Sequence, residues 1–586
     1  MIHQIEIKNV TFQYPGGMQP VLNDVSLTVE KGEFVAIMGG NGSGKSTLCK
    51  LLNGLIPHYY VGDYSGSVRV NGLATEETSV AELSHSVGYV YQDFDNQLVR
   101  ARVLEDASFA PLNFGYADYK ERGKKALEQV GLVGRDDEFI WQLSGGQKHL
   151  LALAGAISLN PDILIMDEPV AQLDPYHAKE VYDVLKMLNE TYGKTIIVIE
   201  HHTEFIADYC DQVVLINEGK VEWKKPTQDA LRLVDQLMTM QIYPPQVTQA
   251  AYKVGRLLRG NSVTNPLFES TKPYPVTLSE AMEFFSEQQS EEEPTEITQE
   301  PKVMEKEPIV EMEQVYFSYK TITRSKKTIL KDINLTLNRG DRIALVGNNG
   351  AGKSSLMRLL TGLVKPEQGT VTVDGLNTNK FSPEKMADLV TYIYQNPEEM
   401  FIEDSVRKDV EFFLKARKVP GYKERVDQVL EQFNLTDLED RDSRLMSGGQ
   451  QRRASLAIGV AMNPKIILLD EPTANLDIAT RKHITKLITS LKNYVEAVFI
   501  ATHDMQLVAE WANRIIVLKD GEVLHDGDRE SVFTNAALLK LAGLHPPQIM
   551  ELSRGLQIEP ISYTVDDFVN SYSQILGEEN KDGVYS

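Results

Sequence analysis

Apolar residues along this chain fall into short runs of two kinds, which predict two kinds of strand. At the N-terminus, residues 1–7 alternate between apolar and polar side chains, the period of a strand with one buried face. Elsewhere, uninterrupted apolar runs are typical of parallel strands buried on both faces. These runs occupy residues 35–38, 163–166, 196–199, 343–346, 466–469 and 498–501. Because helix-compatible segments follow some of these runs, the pattern predicts an α/β protein.

The same succession of patterns occurs twice, so the chain is a duplication. Residues 10–14 (VTFQY) recur as 315–319 (VYFSY), and residues 22–27 (LNDVSL) recur as 330–335 (LKDINL). The match continues in register along both halves. Two domains with a common fold are therefore expected.

Changes in composition indicate where the domains end. Residues 287–308 are rich in Glu, Gln, Ser, Thr and Pro and poor in apolar residues, which is typical of a flexible acidic linker. Residues 243–247 (YPPQV) match 545–549 (HPPQI), so each half carries a similar C-terminal extension. The predicted division is a first domain over 1–225, its extension over 226–286, the linker over 287–308, a second domain over 309–530 and its extension over 531–586.

Composition argues against several classes of protein. The formal net charge of −23 disfavours nucleic acid as a partner, because binding phosphates requires clustered Lys and Arg. No run approaches the roughly 18 apolar residues of a membrane-spanning helix, so no direct membrane insertion is predicted. Two cysteines, Cys49 and Cys210, indicate neither a disulfide framework nor a metal site, and they imply a reducing cytosol.

Two glycine-rich loops carry the first chemical signal. Residues 39–46 (GGNGSGKS) and 347–354 (GNNGAGKS) both fit G-x-x-x-x-G-K-[ST] in a strand–loop–helix context. In such a loop, backbone N–H groups converge on phosphates, the Lys reaches the β- and γ-phosphates, and the Ser hydroxyl binds Mg²⁺. The predicted nucleotide-binding residues are Gly39, Asn41, Gly42, Gly44, Lys45, Ser46, Thr47, Gly347, Asn349, Gly350, Gly352, Lys353, Ser354 and Ser355.

A pair of acidic residues ends one apolar run in each half. The pairs are Asp167-Glu168 and Asp470-Glu471. Active groups sit at the carboxyl ends of parallel strands. We therefore expect the first acid of each pair to hold Mg²⁺ and the second to polarise the attacking water as general base.

A third motif carries a resemblance to a known family. Residues 143–147 (LSGGQ) and 446–450 (MSGGQ) stand at the same distance before the two acidic pairs. These strings resemble the signature motif of ABC ATPases, and the resemblance covers nearly the whole chain except the linker and the far C-terminus. It implies two tandem P-loop NTPase domains, each with a RecA-like core, an antiparallel β subdomain and a helical signature subdomain. It also implies ATP and Mg²⁺ as cofactors, ATP hydrolysis, and domains that pair face to face within one chain around two ATP molecules.

Further positions match the pattern of that family in both halves. The resemblance implies a signature that contacts the γ-phosphate held by the opposite domain, a Q-loop glutamine that senses Mg²⁺, a switch histidine at the γ-phosphate, an aromatic that stacks on adenine and a D-loop aspartate. For the aromatic position, a tyrosine that packs in the core of an edge strand is an equally expected alternative to one that stacks on adenine. The signature residues are Ser144, Gly145, Gly146, Gln147, Ser447, Gly448, Gly449 and Gln450. In the first half the Q-loop glutamine is Gln92, the switch histidine His201, the aromatic Tyr14 and the D-loop aspartate Asp174. In the second half the same roles fall to Gln395, His503, Tyr319 and Asp477.

The implied roles define the candidate catalytic and metal-binding groups. The predicted catalytic residues are Glu168, Glu471, His201 and His503. The predicted Mg²⁺ ligands are Ser46, Gln92, Asp167, Ser354, Gln395 and Asp470.

The halves differ directly after the signature and before the switch histidine. The second half reads Gln451-Arg452-Arg453, as is common in the family, whereas the first reads 148–150 as KHL. Glu200 stands where the second half has Thr502. None of these changes removes a predicted catalytic group, so both sites are expected to be active.

Several features resemble the energy-coupling factor importers, which take up vitamins and transition-metal ions. Residues 92–98 (QDFDNQL) are similar to the Q-helix of that group, with Phe94 in place of a Pro, and 397–401 (PEEMF) keep the Pro and the acid. The Pro-Pro-Gln elements resemble the C-terminal extension of these ATPases, and the fusion of two ATPases looks most like the subgroup linked to thiamine-precursor uptake. The resemblance implies a transmembrane scaffold subunit and a substrate-binding membrane subunit as partners, with the chain peripheral at the cytoplasmic face of the cell membrane.

We expect acids near the Q-loops to bind Arg side chains of that scaffold. A carboxylate facing an Arg in a partly dry groove can form a bidentate charge-assisted bond. The candidate acids are Asp95, Asp106, Glu398, Glu399 and Asp409.

Two other classes of tandem ATPase remain as alternatives. Sugar-importer ATPases usually have one degraded site, whereas both sites here keep their predicted residues. ABC-F translation factors carry a basic linker for RNA, whereas residues 287–308 are acidic. ABC proteins of DNA repair are disfavoured because no long insertion separates either glycine-rich loop from its signature.

Overall fold

The chain folds into two compact units, and the first contains both early and late residues. The computed structural model describes residues 3–170, 173–260, 273–286, 307–320, 326–474 and 476–582, with the side chains of 258–260, 320 and 577–582 excepted. Unit 1 comprises Met1–Glu292 together with Gln548–Ser586, and unit 2 comprises Glu293–Pro547.

The first half of the chain supplies ten strands and thirteen helices among the described residues. In chain order they are β1 (Ile5–Gln13), β2 (Leu22–Val29), β3 (Phe34–Met38), α1 (Lys45–Leu52), α2 (Leu55–His58), β4 (Asp63–Val70), β5 (Leu73–Ala74), α3 (Val80–Leu83), β6 (Val87–Val90), α4 (Val103–Ala107), α5 (Phe109–Asn113), α6 (Tyr119–Gln129), α7 (Gly145–Ile157), β7 (Ile163–Asp167), α8 (Pro175–Glu190), β8 (Thr195–Ile199), α9 (Thr203–Tyr209), β9 (Gln212–Asn217), β10 (Lys220–Pro226), α10 (Thr227–Leu231), α11 (Val234–Thr239), α12 (Gln246–Gly260) and α13 (Leu278–Ser286).

A six-stranded sheet forms the centre of the first half, in the order β10-β9-β3-β8-β7-β6. All of its pairs are parallel except β9 with β10. Every residue of β3 and β8 is buried, as their continuous apolar runs predict. Val35 and Ile37 face a core shared with the antiparallel sheet β2-β1-β4-β5, whereas Phe34 and Ala36 face a core shared with α7 and α8.

The second half repeats this arrangement. Its elements are β11 (Pro308–Lys320), β12 (Lys326–Asn338), β13 (Arg342–Val346), α14 (Lys353–Leu360), β14 (Gln368–Val373), β15 (Leu376–Asn377), α15 (Pro383–Met386), β16 (Val390–Ile393), α16 (Val406–Ala416), α17 (Tyr422–Gln432), α18 (Gly448–Ala461), β17 (Ile466–Asp470), α19 (Ile478–Ser490), β18 (Ala497–Ala501), α20 (Met505–Trp511), β19 (Arg514–Lys519), β20 (Glu522–Gly527), α21 (Arg529–Phe533), α22 (Ala536–Ala542), α23 (Gln548–Gly555) and α24 (Val565–Asp582).

Unit 2 contains the corresponding pair of sheets. The antiparallel sheet has the order β12-β11-β14-β15, and the six-stranded sheet has the order β16-β17-β18-β13-β19-β20. Both halves therefore combine a mostly parallel core sheet, an antiparallel sheet and a helical region that includes the helix after the signature. The predicted fold class is confirmed.

The C-terminal extension in unit 1 is assembled from helices of both halves. α12 packs against α23 and α24, and α13 packs against α23. The ring of Phe285 lies 5.1 Å from that of Phe568 and 4.9 Å from that of Tyr572. All three side chains are fully buried, and the Tyr572 hydroxyl donates to the Phe285 carbonyl at 3.0 Å.

The two Pro-Pro-Gln elements bond to each other reciprocally. The side-chain oxygen of Gln548 accepts from the Val247 N–H at 3.2 Å, and that of Gln246 accepts from the Ile549 N–H at 2.9 Å. The repeated sequence thus forms one paired structure inside unit 1.

The compact units divide the chain differently from the boundaries expected from sequence. Residues 531–547 remain with unit 2, whereas 548–586 join unit 1, because the apolar faces of α23 and α24 are buried there. The expected linker also ends earlier, since Pro308 already begins β11. The remainder of the linker, 287–306, lies outside the described residues.

Cleavage of the chain between residues 287 and 306 is expected to leave the two fragments associated. The reason is that residues 548–582 stay covalently joined to unit 2 while they pack in unit 1. A protease-recognition sequence inserted there, followed by size-exclusion chromatography of the cut, nucleotide-free protein, would measure this. One peak at the mass of the whole chain is expected.

The matched control is Phe568→Asp in the same cut protein. An unpaired carboxylate at a fully buried position is strongly unfavourable, so this variant should separate into two fragments. Separation of the cut protein without the substitution would contradict the prediction.

Candidate active sites

The first glycine-rich loop connects β3 to α1, as predicted. Gly44, with φ 103°, is the N-cap of α1, and Lys45 is its first residue. The Lys45 ammonium donates to the carbonyls of Gly39 and Gly40, both at 2.9 Å. A Cβ at Gly39 would lie 2.3 Å from the Ile216 carbonyl oxygen, so only glycine fits there. A helix N-terminus and a buried ammonium therefore converge in one loop, an arrangement that favours phosphate.

The second loop connects β13 to α14 in the same way. Lys353 donates to the carbonyl of Gly347 at 2.6 Å and to that of Asn348 at 3.3 Å. A Cβ at Gly347 would lie 2.0 Å from the Leu518 carbonyl oxygen. The two halves thus present equivalent loops, each suited to bind phosphate.

Asp167 is the last residue of β7 and lies beside the first loop. The Ser46 hydroxyl hydrogen-bonds its carboxylate, and the Tyr89 hydroxyl donates to it at 3.1 Å. Burial, with the neighbouring charge of Glu168, raises the pKa of Asp167. A hydroxyl and a carboxylate thus face each other, which is a pair of oxygen donors that suits Mg²⁺.

Asp470 occupies the equivalent position at the end of β17. The Tyr392 hydroxyl donates to its carboxylate at 2.5 Å, and the side chain is buried. Ser354 follows Lys353 in the first turn of α14. The same two types of oxygen donor are therefore present in the second half.

Glu168 is the point where three predicted motifs of the first half meet. Gln92 Nε2 donates to Glu168 Oε2 at 2.6 Å, and His201 Nε2 lies 3.1 Å from Glu168 Oε1. The backbone of Glu168 is left-handed, with φ 51°, which is uncommon for a residue with a side chain. The structure thus brings the Q-loop glutamine and the switch histidine to the candidate general base.

Glu471 is bound differently in the second half. His503 Nδ1 lies 2.9 Å from Glu471 Oε1, and the Thr502 hydroxyl donates to Glu471 Oε2 at 3.1 Å. Burial alone would raise the pKa of Glu471, but the charge and hydrogen bond of His503 hold it below the usual value, and the same pair raises the pKa of His503. Gln395 has an exposed side chain that does not hydrogen-bond Glu471.

The residue before the switch histidine explains part of this difference. Glu200 is buried, and its Oε1 accepts from the N–H groups of His201 at 2.8 Å and His202 at 2.9 Å. The Tyr182 hydroxyl donates to Glu200 Oε2 at 2.9 Å. In the first half this carboxylate holds the backbone of the segment that carries His201, whereas in the second half Thr502 bonds Glu471, the candidate general base, directly.

The first signature begins α7 with a reciprocal cap. The Ser144 hydroxyl accepts from the Gln147 N–H at 3.3 Å, and Gln147 Oε1 accepts from the Ser144 N–H at 3.0 Å. A Cβ at Gly146 would lie 2.4 Å from the ring of His177, so glycine is required by close packing. Asp174 caps α8 by accepting from the His177 N–H at 3.1 Å.

The second signature begins α18 similarly. Gln450 Oε1 accepts from the Ser447 N–H at 3.1 Å, and a Cβ at Gly449 would lie 2.6 Å from the Thr480 methyl group. Asp477 caps α19 by accepting from the Thr480 N–H at 2.8 Å. Completion of each site by the opposite signature stays a prediction.

The two candidate adenine-stacking tyrosines differ in their surroundings. The Tyr14 ring meets the rings of Phe12 and Tyr60 edge to face, at 4.8 and 6.3 Å, and its hydroxyl lies 3.4 Å from that of Thr47. Tyr319 is 38% exposed. Their role at adenine stays a prediction.

A 3₁₀ turn, Phe94–Gln97, follows the first Q-loop and is fixed by Gln97. Gln97 Nε2 donates to the Tyr89 carbonyl at 3.0 Å, and its Oε1 accepts from the Tyr91 N–H at 2.8 Å. Asp95 on the same turn pairs with Lys148 at 2.9 Å. In the second half, Glu398 accepts from Gln451 at 3.5 Å. Both acids already have partners within their own half.

Two of the acids expected to bind a scaffold arginine are buried and accept backbone hydrogen bonds within their own half. Asp106 is buried, and its Oδ1 accepts from the N–H groups of Val99 and Arg100, both at 2.8 Å. Asp409 is also buried and accepts from the Ile402 N–H at 2.8 Å. Each carboxylate closes the loop after its Q-loop, and binding of a scaffold Arg by either one stays a prediction.

Sequence reasoning did not identify Arg452 as part of the second site. Its guanidinium lies behind the Q-loop and donates to main-chain carbonyls. The only sequence signal was the difference between QRR and KHL after the two signatures.

The fold and the two equivalent candidate sites define a class of protein: an ATPase with two P-loop domains. Residues 22–171 and 330–474 match the protein family described as ABC transporter. The chain therefore belongs to the ABC transporter family, as an ATP-binding and ATP-hydrolysing protein of that family.

Two relatives that match most of this chain support this assignment. Two relatives provisionally named ABC transporter ATP-binding proteins are a Methanosarcina acetivorans protein, 34% identical over 94% of this chain and 90% of the relative, and a Caldanaerobacter subterraneus protein, 33% identical over 94% and 96%. Among solved structures, cbiO1 from Clostridium perfringens, described as part of the ABC transporter complex cbiONQ, is 29% identical, with 44% of this chain and 100% of that chain covered and a TM-score of 0.38. Within the described part of the chain, no helix has both the length and the apolar character needed to cross a membrane.

Proposed function

We propose that this ATPase energises an importer of the energy-coupling factor group, which takes up a vitamin or a metal ion. The observation that carries the proposal is the reciprocal bonding of Gln246 and Gln548. The Pro-Pro-Gln elements are among the features by which the sequence resembles that group, and here they form one joint structure. The chain would act at the cytoplasmic face of the membrane, with a transmembrane scaffold and a substrate-binding membrane subunit.

In each half we assign the hydrolytic roles as follows. The P-loop N–H groups and Lys bind the phosphates, and the strand-end Glu accepts a proton from the attacking water. His201 and His503 hold that carboxylate from the switch loop. Mg²⁺, when bound by the Ser hydroxyl and the strand-end Asp, would neutralise phosphate charge.

We infer that the scaffold docks in a groove beside the first Q-loop. A cavity of about 250 Å³ lies between β6, α5 and α7. Its lining is mainly apolar and includes Phe109, Phe114, Ala152, Ala156 and Leu159, together with the polar Gln97 and Asp106. An apolar side chain on a helix of the scaffold would fit there, next to the turn that carries Asp95. Displacement of Lys148 from Asp95 by a scaffold Arg stays a prediction.

Ala156→Glu is expected to abolish binding of the membrane scaffold without stopping hydrolysis. The substitution puts a carboxylate among apolar groups, and an unpaired charge in an interface costs about 2–5 kcal/mol of binding. Copurification of the membrane subunits and substrate uptake should be lost, while the ATPase activity of the isolated chain stays within about twofold.

The matched control is Ala537→Glu, at an exposed position of α22. It should copurify with the membrane subunits as the unmodified chain does. Retention of the scaffold by Ala156→Glu at unchanged affinity would rule out this groove as the docking site.

A further inference from the structure

Arg452 lies in the interior of unit 2, where three segments of the second ATP site meet. It stands in the second turn of α18, and only 3% of the residue is exposed. Its Nη1 donates to the Tyr394 carbonyl at 2.9 Å, and its Nη2 donates to the carbonyls of Gln395 at 2.7 Å and Glu471 at 3.4 Å. One side chain therefore connects the signature helix to the Q-loop and to the end of β17.

A connection made by a buried guanidinium has a large free-energy cost. Taking a charge out of water carries a large desolvation penalty, and burial lowers the pKa of Arg452 to about 10. The hydrogen bonds that offset this penalty are accepted by main-chain carbonyls of the Q-loop and of the residue after β17. The planar fork of an Arg holds its N–H groups in fixed directions, whereas an ammonium is a compact donor on a flexible stem and cannot reproduce that geometry.

The first half has an apolar contact in place of this connection. His149 occupies the corresponding position of α7, is 2% exposed, and places its ring 4.5 Å from that of Phe94. Within the described structure neither ring nitrogen has a hydrogen-bond partner. Burial lowers the pKa of His149 to about 4, so the ring is neutral near pH 7. The first Q-loop is thus not tied to its signature helix by a polar bond from this position.

We propose that Arg452 is a positioning residue of the second ATP site, on which that half depends, whereas in the described first half His149 stands at the corresponding position and makes no such bonds. Its bonds to Tyr394 and Gln395 fix the backbone from which the Q-loop side chain extends. Its bond to the Glu471 carbonyl supports the left-handed backbone, φ 46°, that directs the carboxylate toward His503. The inference rests on the proposed roles of Gln395 and Glu471.

The test is Arg452→Lys in a chain that also carries Glu168→Gln, so that turnover reports the second half. Lysine keeps the charge and loses the planar fork. We expect kcat to fall about 10–100-fold, since a displacement of about 1 Å can cost up to about 10²-fold. The KM and Kd for ATP should change by less than about twofold. Unchanged kcat, or a kcat loss accompanied by loss of ATP binding, would overturn the proposal.

The matched control is His149→Gln in a chain that carries Glu471→Gln. Because the His149 ring bonds to no polar group in the described structure, turnover of the first half should stay within about twofold. A loss as large as that caused by Arg452→Lys would show that the two halves do not differ in this respect.

A double-mutant cycle tests whether the loss of kcat in Arg452→Lys arises through the Q-loop residue Gln395. If Arg452 acts through Gln395, Gln395→Ala and Arg452→Lys together should cost little more than the larger single loss, because the two residues are coupled. Fully additive losses would overturn that route. Persistent turnover in a chain with both Glu168→Gln and Glu471→Gln would instead refute the proposed roles of Glu168 and Glu471 as general bases, whatever Arg452 does.

Discussion

Glu168→Gln combined with Glu471→Gln is expected to lower ATP turnover by about 10²–10⁴-fold, the usual worth of a general base. Glutamine has nearly the same shape and can still accept a hydrogen bond from His201 or His503, but it cannot take a proton from water. Phosphate release under saturating ATP would measure the loss.

Nucleotide binding provides the control for the double variant. The phosphate-binding loops are formed by other residues, so the Kd for ATP should change by less than about tenfold. Each single variant should retain a measurable fraction of turnover. A double variant with unchanged turnover would refute the assignment of these two residues as general bases.

Phe568→Ala is expected to cost about 3–5 kcal/mol of the stability of the extension in unit 1. Phe568 is fully buried, and it contacts Phe285 and lies stacked on Tyr572 at 5.6 Å. Deleting the ring leaves a cavity among groups supplied by both halves of the chain. Hydrogen exchange of α12, α13 and α24 should accelerate, whereas exchange of β3 and β8 should change little.

Gln574→Ala is the matched control on the same helix. Its side chain is exposed, so stability should change by no more than about 0.5 kcal/mol. Equal exchange rates in α12 and α13 for the unmodified chain and Phe568→Ala would contradict the shared packing of the extension.

The parts of this protein that sequence could predict are those encoded by local patterns. Continuous apolar runs such as 163–166 predicted buried parallel strands, because a strand covered on both faces has no polar side. The glycine pattern of residues 39–46 predicted the conformation of this loop, since Gly39 and Gly44 occupy positions where a side chain would clash or strain the backbone. The acids at the strand ends followed from the topology of parallel sheets.

The parts that sequence could not predict depend on contacts between distant segments. Apolar faces on α23 and α24 require burial but do not specify which half covers them. Whether a carboxylate such as Asp106 is exposed or caps backbone N–H groups is decided by the fold around it. The acceptors of Arg452 are carbonyl groups, which every residue carries, so no side-chain pattern marks them.

The order in which the ribosome makes the chain gives the shared extension a further consequence. Phe285 is synthesised well before Phe568 and Tyr572, its partners in the buried cluster. At about 5–20 residues per second, its apolar face remains uncovered for roughly 15–60 s, during which the whole of unit 2 is made. A chain that terminates early cannot complete unit 1, even though most of unit 1 precedes the break. Helices α23 and α24 therefore distinguish chains that include them from chains truncated before them, and the truncated products should expose apolar surface that chaperones and proteases recognise.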